Sequence, residues 1–181
     1  MDPVADTRRT FRALVDAMAR PGTVHAVPVG PADRAVIATL VDHEVTLRSD
    51  DGELTDRLAG EGRFDPAPLA EADVVHTTDG SGDSIAEARR GTLEEPSDGA
   101  TVVYRVEQVS TDLDSSSGAT TLSLTGPGVP DRREVLVEGF PSTAVDAFEA
   151  TTAGFPRGID VVLASAKRIA ALPRTVTVEV A

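Results

Sequence analysis

Four short loops concentrate the residues that could hold a ligand. The stretch "LSLTGPGV" (122–129) runs from alternating apolar residues into Gly126, Pro127 and Gly128. A strand ending in a glycine-rich loop can turn its backbone N–H groups onto an anion such as phosphate. The same residues also suit a tight turn, because Pro fixes φ at the second position of a type II turn and Gly supplies φ > 0 at the third. The loop lacks the Lys and the spacing of a P-loop, and no G-x-G-x-x-G follows a strand. "ARPGT" (19–23) gathers Arg20, Pro21 and Gly22 where a helix should stop. "GFPRGID" (154–160) sets Phe155, Pro156, Gly158 and Asp160 ahead of an apolar run, with Phe155 as an anchor and Gly158 as a close-approach position. "LPRTV" (172–176) places Pro173 and Arg174 before the last strand. An Arg there can clamp a phosphate or contact a partner. It can equally be solvated or ion-paired.

Other chemistry finds little support. His25, His43 and His76 are far apart and lack a metal-type partner at i+3 or i+4, so they read as strand and turn residues and no metal is expected. No Ser sits in a G-x-S-x-G elbow, and the Ser115–Ser117 run reads as a solvated loop. With no Cys, disulfides and thiolate chemistry are excluded.

Charge narrows the partners. The net charge is −13, and of 17 Lys and Arg only Lys167 is a lysine. Such a surface repels nucleic acid and anionic membranes. Many acidic residues with almost no Lys point to adaptation to high salt, where self-repulsion is screened; a GC-rich genome favouring Arg codons is the bland alternative. No apolar run reaches the length of a membrane span, and the N-terminus has no apolar signal region, so a cytoplasmic protein is expected.

These loops need elements to position them. Aromatic residues make up 3% of the chain, so the core must be aliphatic. Helices are expected at 6–19, 31–42, 52–60, 82–91, 142–153 (capped by Ser142) and 166–172. In the first of these, Phe11, Leu14, Val15 and Met18 form the apolar face. Strands are expected at 23–27, 44–48, 72–77, 100–109, 119–125, 133–139, 158–165 and 174–181. The segment "STDLDSSSG" (110–118) reads as an exposed hairpin loop, which implies a mixed sheet. The alternation of helix and strand gives an α/β/α sandwich in one domain over residues 1–181.

Five segments, in order, resemble the PhnH subunit family of the carbon–phosphorus lyase core complex. They are "FRALVDAMARPGTV" (11–24), "GTLEEPSDGAT" (91–101), "LSLTGPGV" (122–129), "GFPRGIDVVL" (154–163) and "LPRTVTVEV" (172–180), with a weaker match at "LVDHE" (40–44). Residues 50–83 carry no family motif. The resemblance implies a three-layer fold similar to the large domain of fold-type I pyridoxal-phosphate transferases, without the cofactor. Lys167, the only candidate for a Schiff base, lies in a polar "SAKR" segment outside every motif. The resemblance also implies a homodimer that joins the PhnG, PhnI and PhnJ subunits. That complex, with ATP and an accessory ATPase, makes ribose 1-phosphonate 5-triphosphate and releases adenine. The nucleosidase chemistry belongs to PhnI and the radical cleavage to PhnJ; no catalytic residue is assigned to PhnH. Arg20, Pro21, Gly22, Gly126, Pro127, Gly128, Phe155, Pro156, Gly158, Asp160, Pro173 and Arg174 are therefore binding or interface candidates, with no cofactor expected. Two alternatives stand beside the subunit reading. One is a self-contained enzyme or binding protein for a phosphorylated small molecule, held through Arg20, Arg174 and the Gly-Pro-Gly loop. The other is an interaction module without a ligand.

Overall fold

The structure, a computed structural model, describes residues 3–112 and 118–181. The Ser115–Ser117 run and the tip of the 110–118 loop lie outside the described residues. Among the described residues there are five α-helices, α1 (Pro3–Ala19), α2 (Ala32–Leu40), α3 (Gly52–Gly60), α4 (Asp83–Ala86) and α5 (Ser142–Thr152), and one 3-10 turn, Pro96–Asp98. The strands are β1 (His25–Ala26), β2 (Thr46–Ser49), β3 (Asp65–Pro66), β4 (Val74–Thr77), β5 (Thr101–Arg105), β6 (Gln108–Ser110), β7 (Thr120–Thr125), β8 (Arg133–Glu138), β9 (Asp160–Ala164), β10 (Arg168–Leu172) and β11 (Thr177–Val180).

A mixed seven-stranded sheet has the order β1-β10-β9-β5-β4-β2-β3. Its strands β9, β5, β4, β2 and β3 run parallel, while β10 and β1 add antiparallel neighbours. The central strands are buried on both faces, so their sequences read as continuous apolar runs. Side chains alternate across the pleat. Leu47, Val74, Val103, Val162 and Ile169 meet Leu14, Val36, Ile37, Leu54 and Leu58 from α1, α2 and α3 on one face. Val75, Val102, Tyr104, Val161, Leu163 and Leu172 meet Ile85, Val145 and Phe148 from the α4–α5 side on the other.

That second face departs from the expected α/β/α sandwich. A four-stranded antiparallel sheet, β11-β7-β8-β6, packs there beside α4 and α5. The expected 100–109 strand is two strands in two sheets. Val106 N–H bonds Ala164 in the first sheet, and Glu107 N–H bonds Glu138 in the second. Consequently 100–109 and 119–125 form no hairpin; β6 and β7 flank β8 instead.

Other expectations fail for local reasons. Residues 166–172, expected as a helix, hold the strand β10, because Ile169 and Ala171 fill one core while Ala170 and Leu172 fill the other. Only an alternating backbone can send neighbouring residues to opposite cores. The expected 82–91 helix stops at Ala86, since Arg90 pairs with Gly99 as an isolated bridge. Helix α1 packs through Thr10, Ala13, Leu14 and Ala17, leaving Phe11 and Val15 about half exposed. Pro141, not Ser142, is the N-cap of α5, and no side chain caps it.

Candidate functional site

The loop residues singled out by sequence fold onto one another. Arg20–Thr23 and Gly126–Val129 are the same turn. Each closes with a bond from the fourth N–H to the first carbonyl, at 3.2 and 3.1 Å. Each places Pro second and Gly third, with φ of +79° at Gly22 and +80° at Gly128, as type II turns require. The two turns are in contact. A Cβ on Gly128 would lie 2.9 Å from the Ala19 carbonyl and 3.0 Å from Pro21 Cδ. A Cβ on Gly126 would lie 2.9 Å from the Thr175 carbonyl, tying this turn to the "LPRT" loop.

A second knot joins the remaining motifs. Arg174 donates from its backbone N–H to Asp160 Oδ1 at 2.8 Å and from Nη2 to Oδ2 at 2.5 Å. Its Nη1 bonds the Pro96 carbonyl at 2.5 Å. Gly158 N–H bonds the Arg90 carbonyl, and a Cβ on Gly158 would lie 3.2 Å from Arg174 Cβ. Pro173 is buried and Pro156 half-buried. Pro127, Phe155 and Arg174 meet on the surface, where they line a depression of about 330 Å³ with Glu149, Thr152 and Thr175. Phe155 is 63% exposed. Arg20 stands apart, ion-paired with Asp16 at 2.6 Å on an exposed helical turn.

A polar cluster that sequence reasoning missed sits elsewhere, at the C-terminal ends of the parallel strands. Ser49, His76 and Arg105 lie near or at the ends of β2, β4 and β5. Each is two residues beyond Leu47, Val74 or Val103, so all three face α2. Asp33, in the first turn of α2, reaches down to them. His76 Nε2 donates to Asp33 Oδ2 at 2.9 Å, and Arg105 Nε donates to the same oxygen at 2.6 Å. With the proton on Nε2, Nδ1 accepts from Ser49 Oγ at 2.9 Å, and Oγ accepts from Asp51 N–H at 3.1 Å. The Asp33 and His76 side chains are wholly buried. Burial pushes the Asp33 carboxyl up, but the bonds from His76 and Arg105 outweigh it and hold the group below the usual carboxylate range. Asp51 follows the same pattern, with Arg34, Leu54 N–H and Arg105 opposing its burial.

The connectivity is that of a hydroxyl–imidazole–carboxylate relay. Its visible effect is positional: His76 and Arg105 fix one oxygen of Asp33, and Asp51 fixes both Arg34 and Arg105. The signals available in the sequence were a His inside the apolar strand "VVHT" and an Asp just behind Pro31. His25 instead bonds Thr23, His43 is exposed, and no group of three metal-type ligands occurs among the described residues.

Comparison with known proteins agrees with the family resemblance. Residues 1–179 match the family described as "Bacterial phosphonate metabolism protein (PhnH)". The chain is 30% identical over 203 aligned residues, covering 98% of it and 92% of the relative, to a Rhizobium meliloti (strain 1021) protein named alpha-D-ribose 1-methylphosphonate 5-triphosphate synthase subunit PhnH. It is 32% identical over 167 residues, covering 91% of it and 82% of the relative, to HtxG of Stutzerimonas stutzeri, named as a C-P lyase subunit protein. A match over nearly the whole chain means that the chain belongs to the PhnH family of bacterial phosphonate metabolism proteins.

Proposed function

We propose that this protein is a docking subunit of a carbon–phosphorus lyase complex in phosphonate catabolism. There it supports conversion of ATP and an alkylphosphonate to ribose 1-phosphonate 5-triphosphate and adenine. The observation that carries the reading is the family match over residues 1–179, with relatives named as subunits of such an assembly. The motif geometry supports it. Glycine, proline and arginine residues shape loops that enclose a depression beside the exposed Phe155, an arrangement suited to contact.

The finer features of the reading follow the family. The whole chain acts as one PhnH-like domain, forms a homodimer, and joins PhnG, PhnI and PhnJ in the cytoplasm. No described helix is long and apolar enough to cross a membrane, and the charge of −13 disfavours nucleic acid. The fold is related to fold-type I pyridoxal-phosphate transferases but binds no such cofactor. Lys167 supports this: it is exposed at the β9–β10 turn, where a Schiff base would stand in water.

Co-purification with the partner subunits tests the reading, using Phe155→Ser beside the wild type. Surface substitutions usually change stability by less than about 0.5 kcal/mol, whereas an interface anchor is worth about 2 kcal/mol or more, roughly thirtyfold in affinity. We expect the variant to fold normally and to assemble poorly. Activity of the wild-type chain alone on ATP and methylphosphonate would overturn the subunit reading in favour of a self-contained enzyme.

A further inference from the structure

The ends of β5 and β9 and the first turn of α2 enclose a crevice of about 400 Å³, remote from the motif loops. Pro31, Asp33, Arg34, Arg105, Ser165 and Ala166 line it. Its volume lies within the range of small-molecule pockets, about 300–1,000 Å³. In parallel α/β sheets, the C-terminal ends of the strands are where ligands bind.

Three observations define what fits. Asp33 Oδ1 is buried and has no hydrogen-bond partner among the described residues. The side chain cannot turn to relieve it, because Oδ2 already accepts from His76 and Arg105. A buried acceptor left unpaired is costly, so the crevice favours a ligand that brings a donor. Second, Arg34 Nε and Arg105 Nη2 bond the same oxygen, Asp51 Oδ2, at 2.9 and 3.1 Å. The two guanidiniums are therefore neighbours, held in place, and Nη1 of each makes no hydrogen bond to the described residues. Both side chains stay partly accessible, 23% and 36%. Third, α2 begins behind Pro31 with no side-chain cap; Ala32 N–H donates to the Ser165 carbonyl, and the N–H groups that follow it supply the positive end of the helix dipole beside the crevice.

A single ligand that satisfies both sets of groups is an oxyanion toward the two arginines, whose ion pairs with Asp33, Asp51 and Glu53 leave Nη1 unused, and a proton donor toward Asp33. We propose that this crevice binds a tetrahedral phosphorus oxyanion that carries a proton. Its P–O⁻ oxygens accept from Nη1 of Arg34 and Arg105, and its P–OH donates to Asp33 Oδ1, which is covered in the free chain and is reached by a small displacement of the partly accessible arginine side chains. Sulfate has the same shape and no proton to give at neutral pH, so the Asp33 carboxylate repels it. The site thus separates two similar anions by protonation, as a site with an unpaired polar group rejects an analogue lacking the complement. The proposal does not rest on the subunit reading, since it concerns the full chain without partners.

Calorimetric titration of the full chain with inorganic phosphate, and separately with sulfate at ionic strength matched by KCl, tests it. We expect phosphate to bind at least about tenfold more tightly than sulfate. A parallel titration with glycerol 3-phosphate near pH 6, where a monoester still carries its proton in part, separates the sources. Tighter binding than inorganic phosphate assigns the crevice to a phosphoryl group on a larger molecule, and weaker binding assigns it to the free ion. Asp33→Asn should abolish the preference for phosphate, because an amide can donate to sulfate. Arg34→Gln, at a more accessible position, should weaken phosphate binding at least about fivefold and covers the case in which Asp33→Asn does not fold. Equal binding of sulfate and phosphate by the wild type, or no binding of phosphate up to about 10 mM, would overturn the proposal.

Discussion

Asp160 holds Arg174 by both its backbone and its side chain. Oδ1 accepts the Arg174 backbone N–H at 2.8 Å, and Oδ2 accepts Nη2 at 2.5 Å. From this grip the guanidinium reaches the carbonyls of Pro96 and Gly99, so one residue ties together three motif segments. Arg174 also edges the surface depression with Pro127 and Phe155. Any contact it makes there would be made by a side chain already committed within its own chain.

Arg174→Ala should therefore destabilise the isolated chain. Only 14% of the Arg174 side chain and 16% of Asp160 are exposed. Removing the arginine leaves a carboxylate and two carbonyls short of a donor, at a cost of about 2–4 kcal/mol. For a chain of this size that is a fall in Tm of about 5–15 °C. Arg57→Ala, at an exposed position, should shift Tm by less than about 2 °C. A purely intermolecular role for Arg174 would leave the isolated chain's Tm unchanged.

Two glycines with similar backbones separate strain from packing. Gly62 has φ +68° with open space around its missing Cβ, and Gly128 has φ +80° with the Ala19 carbonyl 2.9 Å away. Gly62→Ala should cost about 1 kcal/mol for the left-handed conformation alone. Gly128→Ala should cost at least about 1 kcal/mol more, because the α1 terminus must move. Urea titration of both variants measures the difference.

Acid should erase the contribution of Asp33. Its folded pKa lies below the ordinary value, which is about 3.9 in an unfolded chain. The stability it supplies is present above that value and is lost as the pH falls through the lowered folded value. Asp33→Asn should thus be less stable than the wild type by about 1–3 kcal/mol at pH 7, and the gap should narrow below pH 4. Denaturant titrations at both pH values read it out; a gap that is constant with pH would assign the loss to shape rather than charge.

Salt should stabilise the protein. With a net charge of −13, self-repulsion weakens the compact state at low ionic strength. Tm should rise with KCl and continue to rise beyond the concentration at which simple screening saturates. A midpoint that stays flat from low salt to molar KCl would count against salt adaptation.

Elements with local signatures were readable in the sequence. Helix α3 runs over the expected 52–60, and Asp51, whose side chain accepts from Leu54 N–H, caps it. Buried "VVHT" is strand β4, the first helix stops before Pro21–Gly22 as expected, and Gly128 takes the positive φ that the Pro-Gly turn demands. What stayed hidden depends on distant contacts. "RIAAL" has helix-forming alanines and becomes a strand only because both cores claim it. The split between β5 and β6 at Val106 and Glu107 has no turn residue to announce it. Asp33, Ser49, His76 and Arg105 are separated by 16, 27 and 29 positions, so no spacing rule unites them. Sheet register and the placement of α2 do.

Lys167 projects from the β9–β10 turn beside Ala166, which lines the phosphate crevice. As the only lysine, it gives the chain a single side-chain amine for acylating reagents. A fluorophore coupled there would report on the crevice mouth. Amine-directed cross-linking of an assembled complex would join this subunit through one side chain, making each cross-link at a lysine of this subunit a distance restraint from the same hairpin.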